Sequence, residues 1–159
     1  MTGLRIVADD LSGEAIGGLI DFHLADMHRW SPPESVHAMS RDRLARPDMA
    51  FFSAWSRDEL AGCGALKMLA VDHGELKSMR VAPAFLRRGV GEAILLHLMD
   101  EAEARGYARL SLETGRPAEF AAARALYAKH GFARCPPFGE YSDDDFSLCM
   151  SRTLCHRLP

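Results

Sequence analysis

Two periodicities alternate along the chain. Leu76, Ser78 and Arg80 face one way and Lys77, Met79 and Val81 the other, the period of a strand, and Pro83 ends the run because proline cannot donate to a ladder. From Val90 the period lengthens. Val90, Ile94, Leu98 and Ala102 fall on one stripe with Leu95 and Met99 beside it, while Glu92, Asp100, Glu101 and Glu103 stay polar, which predicts a helix ended by Gly106 at C′. Upstream, Leu4 to Ala8 predicts a strand, and Ser12 is placed to cap a helix carrying Ile16, Leu19, Ile20, Leu24 and Met27. Trp30-Ser31-Pro32-Pro33 breaks that helix, and Ser35 is placed to cap a short segment through Met39 to Leu44. Phe51 to Trp55 and Leu60 to Leu69 read as a hairpin around Ser56 to Glu59. Arg109 to Thr114 reads as a strand, Glu119 to Gly131 as a helix, Cys135 to Gly139 as a rigid loop and Phe146 to Met150 as a last strand. This order predicts a mixed α/β fold with a central sheet.

Between the strand ending near Val81 and the helix starting at Val90 lies Leu86-Arg87-Arg88-Gly89-Val90-Gly91. Two cations and two residues without side chains stand where a helix begins with unpaired N–H groups, so the turn is suited to a phosphate or pyrophosphate. A dinucleotide fingerprint is excluded by Ile94 at its third glycine position and by the long approach through Pro83. A Walker loop is excluded because Glu92 and Ala93 follow Gly91.

Strand, short loop, Arg87-Arg88-Gly89-x-Gly91 and long helix together resemble the acetyl-CoA-binding core of the GNAT N-acetyltransferase superfamily. Leu86 stands where that family carries glutamine or arginine, a departure the backbone N–H groups from Arg87 to Glu92 tolerate. A second block, Ala122-x-Arg124-Ala-Leu126-Tyr127 followed by His130-Gly131-Phe132, resembles the family's second conserved segment. The resemblance implies one domain over residues 1–159, with a mixed, mostly antiparallel central sheet flanked by helices. It implies acetyl-CoA as co-substrate, held by the edge of the strand containing Met79, Arg80 and Val81, by the turn Arg87, Arg88, Gly89, Val90, Gly91 and Glu92, and by Ala122 and Arg124.

Transfer of an acetyl group from a thioester to an amine needs a positioned cofactor, a neutral amine, a stabilised oxyanion and a proton for the departing thiolate. By the same resemblance Tyr127 is the candidate acid for that thiolate; the competing reading is a helix residue whose ring packs on the sheet beside Phe120 and Ala123. Glu75 is the candidate base. A carboxylate near 4.3 and an ammonium near 10.4 differ by about six units, roughly 8 kcal/mol, so a base here must be desolvated or act through water. Glu113 is the competing base or an anchor for a cationic acceptor, with Thr114 beside it, and either glutamate could be a surface charge at a strand end.

Composition narrows the field further. The chain has 159 residues, a net charge of −3 and 48% hydrophobic residues, enough for one core and unlike a nucleic-acid or anionic-membrane binder. No apolar run approaches the roughly 20 residues of a spanning helix and the N-terminus has no signal pattern, so a cytoplasmic protein is expected. Cys63, Cys135, Cys149 and Cys155 lack metal or redox spacing and read as reduced thiols. His23, Asp26, His28 and His37 read as surface residues, not a metal site, and Glu140 with Asp143 to Asp145 as a solvated acidic turn. The expected partner is an amine on a small molecule or peptide, with homodimerisation through the last strand as a common feature of such proteins. A non-catalytic acyl-CoA-binding module is the alternative.

Overall fold

The computed structural model describes residues 3–142 and 144–154, so Asp143 and Cys155 lie outside the described residues. Its elements run β1 (Leu4–Ala8), α1 (Glu14–Trp30), α2 (Arg41–Leu44), β2 (Met49–Ser56), β3 (Glu59–Ala70), β4 (His73–Val81), α3 (Val90–Ala104), β5 (Arg109–Gly115), α4 (Ala121–Lys129), β6 (Ala133–Arg134) and β7 (Ser147–Thr153). The strands form one seven-stranded sheet in the order β1-β2-β3-β4-β5-β7-β6. Every neighbouring pair is antiparallel except β4 with β5. The mixed, mostly antiparallel sheet flanked by helices is thus the one expected.

Strand alternation separates two cores. Phe52, Leu66, Leu76 and Leu110 join the buried stripe of α3, namely Val90, Ile94, Leu95, Leu98, Met99 and Ala102, on one face of the sheet. Phe51, Cys63 and Ala65 join Ile16, Leu19 and Ile20 of α1 on the other. Each fully buried aliphatic side chain of these stripes contributes roughly 2 kcal/mol. The glycines of β3 set the spacing to α3. A Cβ at Gly64 would stand 2.8 Å from Ile94 and 2.9 Å from Leu98, so the helix rests almost on the strand's backbone.

Pairing between β4 and β5 covers only His73 to Leu76 against Arg109 to Leu112. Beyond that, β5 continues on β7, with Glu113 opposite Cys149, while β4 continues on β3, with Arg80 opposite Cys63. The strands part because β4 is bulged: Lys77 to Arg80 spans the same interval as Cys63 to Ala65, and Ser78 takes a φ of 53°. A bulge bends and twists its strand. The Cys63 thiol donates to the Ser78 carbonyl at 3.3 Å, and burial pushes its pKa up to about 12, so it stays a neutral donor holding the bulge.

Several local expectations are corrected. Gly13, not Ser12, occupies the N-cap of α1, because Asp10 already accepts from the Ser12 hydroxyl at 2.6 Å. Ser35 lies inside a 3-10 turn, Pro33–Ser35, with its hydroxyl 3.4 Å from Asp144, and α2 begins only at Arg41. A 3-10 turn, Ala118–Phe120, precedes α4, which ends at Lys129. The last strand is displaced to Ser147–Thr153 and pairs with β6, a short strand the periodicity does not mark.

Candidate active site

The turn before α3 is built from left-handed residues. Arg87 has a φ of 63° and Gly89, at the N-cap, a φ of 80°. This presents the first N–H groups of a 15-residue helix outward, beside the exposed Arg87 and Arg88. Val90 is core, and a Cβ at Gly91 would stand 3.5 Å from Val81 and 3.6 Å from Leu126, so the turn lies against β4 and α4. The Glu92 carboxylate is engaged by Lys129 at 2.6 Å and by His130 at 3.1 Å.

Between the parted strands opens a cleft lined by α1, β4, β5, α4 and the loop containing Tyr141. Glu75, 2% exposed, lies on its floor and is no strand-end surface charge. It accepts hydrogen bonds from the Tyr141 hydroxyl and from Lys77 at 3.2 Å, while Lys77 also donates to Tyr141 at 2.6 Å. The ring of His37 packs edge-on against Tyr141 at 4.8 Å. Burial and the carboxylate of Glu75 hold the Tyr141 phenol well above its ordinary pKa.

Glu113 faces the same cleft, and its carboxyl is pushed up to about 8, mainly by burial, with Lys77 opposing and Glu75 reinforcing the shift. Tyr127 is pushed up to about 12 by burial and then by Glu113, and its hydroxyl lies 3.9 Å from the Met79 sulfur. Its ring also meets Phe132 at 6.1 Å, so it packs and lines the cleft at once. Thr114, largely buried, completes the β5 wall.

The α1 wall carries an ion pair that periodicity did not single out. Asp26 is buried, and its two oxygens accept from Arg29 and from Arg80. The Arg80 guanidinium lies over Phe22 at 4.7 Å and Trp30 at 5.6 Å. Next to it, burial lowers the His23 pKa to about 4, so this imidazole is neutral and half-buried, not a surface histidine. The signal for this wall was present: Asp26 falls one heptad after Leu19, on the buried stripe of α1, and a buried charge there requires a partner.

The cleft therefore collects Glu75, Met79, Arg80, Glu113, Thr114 and Tyr127. Arg87, Arg88, Glu92, Ala122 and Arg124 do not line it. Ala122 is exposed, and Arg124 holds the turn after β5 by donating to the carbonyls of Gly115 at 2.7 Å and Pro117 at 2.9 Å. Among the described residues no group of His, Cys, Asp and Glu could hold a metal ion, and no helix is long and apolar enough to cross a membrane.

A seven-stranded sheet parted beside a glycine turn at a helix N-terminus is the architecture of an acyltransferase, and the acetyltransferase (GNAT) family pattern matches residues 18–132. The chain belongs to that family. It is 50% identical over 95% of its length to all of the uncharacterized N-acetyltransferase YsnE of Bacillus subtilis (strain 168). Over 85% of its length it is 39% identical to 86% of the IAA acetyltransferase of Azospirillum brasilense. Among solved structures, a GNAT family acetyltransferase from Elizabethkingia anophelis with acetyl-CoA bound superposes with a TM-score of 0.71 at 18% identity, over 97% of this chain and all of that one.

Proposed function

We propose that this acetyltransferase, a single domain over residues 1–159 working in the cytoplasm, transfers the acetyl group of acetyl-CoA directly to a primary amine of a small molecule or peptide. The observation that carries the reading is the parting of β4 from β5, which frees one strand edge beside a desolvated carboxylic acid and a buried phenol. The freed edge of Met79, Arg80 and Val81 adds the pantetheine arm as an extra strand would be added, and its N–H groups polarise the thioester carbonyl. The Arg87 to Glu92 turn holds the pyrophosphate.

Glu113 is the better base. With its pKa near 8, it differs from an ammonium near 10.4 by about 2.4 units, roughly 3 kcal/mol, where an ordinary glutamate would face roughly 8. Glu75 is already committed to Tyr141 and Lys77 and acts as a positioning residue for them. Glu113 takes the ammonium proton, the neutral amine attacks the acetyl carbonyl, the C–S bond breaks, and Tyr127 protonates the departing thiolate. A phenol near 12 facing a thiol near 8.5 makes this donation uphill by about 5 kcal/mol, but the burial that raises the phenol also raises a thiolate beside it.

The test pairs binding with turnover: thermal shifts with acetyl-CoA, CoA and NADH, then coenzyme thiol release with a panel of amines. IAA, for which the relative from Azospirillum brasilense is named, is tested beside the panel. Stabilisation by both CoA species and not by NADH, with amine-dependent thiol release, supports the reading; a ligand at a hundred times its Kd adds about 2.7 kcal/mol. CoA binding without transfer to any amine makes the chain an acyl-CoA-binding module instead.

A further inference from the structure

Met27, Trp30, Val36, Phe120 and Phe146 belong to neither core. All five are half-buried, and all five line the cleft. Phe120 meets Trp30 edge to face at 6.1 Å and Phe146 at 5.5 Å, so three of the rings form one continuous wall. The wall is tied to the chemistry. A Cβ on Gly115 would stand 2.5 Å from the Phe120 ring, so the ring rests on the β5 backbone two residues from Glu113, and Arg124 holds the intervening turn.

Charge in the cleft is nearly balanced without a ligand. Lys77 is paired with Glu75, Arg80 with Asp26, and His23 is neutral. Glu113 is the remaining half-buried carboxylate of the lining, and Glu119 is exposed. Once ionised, Glu113 can take the proton of one ammonium, and no second buried carboxylate is left unpaired in the cleft for a further cation. The half-open cleft offers about 200 Å³, below the roughly 300–1,000 Å³ of pockets that hold drug-sized ligands.

We infer that the acceptor is a monoamine carried on one aromatic or branched apolar body, and that Phe120 and Trp30 determine this specificity. The inference rests on the proposed use of the cleft as the acceptor site.

Calorimetric titration of phenethylamine, spermidine and a short alanyl peptide into the protein, with and without CoA, tests it apart from turnover. Phenethylamine is expected to bind about tenfold or more tightly than either competitor, and Phe120→Ala to weaken it by a comparable factor, with Phe120→Leu recovering part of the loss. In steady state the same variant should raise KM for phenethylamine more than it lowers kcat. Circular dichroism establishes that each variant is folded, and Trp30→Leu supplies an independent probe of the wall. Spermidine or the peptide binding as tightly as phenethylamine, or phenethylamine binding unaltered in both folded Phe120→Ala and Trp30→Leu, would overturn the inference. Phenethylamine binding without acetyl transfer would leave it standing and remove the transferase mechanism instead.

Discussion

Strands β4 and β5 are two different structures along one seam. From His73 to Leu76 they pair in parallel, and Gly74 sits so close to the buried Tyr107 that a Cβ would stand 2.7 Å from its ring. From Lys77 and Glu113 onward they part, and the space between them holds Glu113, Tyr127 and Tyr141, each with its proton held more tightly than usual. The closed half supplies rigidity. The open half supplies unpaired backbone and half-buried titratable side chains, and a bulge at Ser78 marks the change from one to the other.

Substitutions in the two halves should accordingly fail in different ways. The largest effect is expected from Glu113→Gln, which should lower kcat by about a hundredfold or more in amine-dependent thiol release. Tyr127→Phe should cost about ten- to a hundredfold in kcat while the thermal shift with acetyl-CoA is retained. Equal turnover in the Phe variant would return Tyr127 to a packing role. In the closed half, Gly74→Ala should leave kcat near its original value and lower stability by about 1–3 kcal/mol in urea denaturation, because Tyr107 must move.

Proton linkage gives a subtler contrast. Unfolded, Glu113 loses its proton near pH 4.5; folded, it keeps it to about 8. Between those values the folded state binds the extra proton, so stability falls as pH rises, by about 1.4 kcal/mol per unit from this group. Urea midpoints of the original protein and of Glu113→Gln should therefore diverge from pH 5 to pH 8, with the glutamine protein gaining. The smallest effect belongs to Ser78→Gly, which relieves the left-handed conformation at the bulge and should change stability by no more than about 1 kcal/mol.

The same contrast explains what could be read in advance. Elements with internal period were legible: β1 has the bounds its alternation predicts, and the α3 stripe from Val90 to Ala102 is buried throughout. The glycine turn was legible because its chemistry is local. What joins distant positions was not. Tyr141 sits in a loop without periodicity and meets Glu75 sixty-six residues away, and Arg80 finds Asp26 fifty-four residues away. Local capping rules failed at Ser12 and Ser35 because nearby or distant aspartates compete for their hydroxyls. Glu113 and Glu75 look alike in sequence. Their difference arises in the cleft, where one is hydrogen-bonded by Lys77 and Tyr141 and the other is desolvated.

The pH dependence of kcat/KM for a primary amine, compared between the original protein and Glu113→Gln, tests the central claim most directly. The expected result is a rate that rises through an ionisation near 8 which the glutamine variant lacks. Matching profiles in both proteins, governed only by the amine's own ionisation near 10, would contradict the assignment of Glu113 as the base.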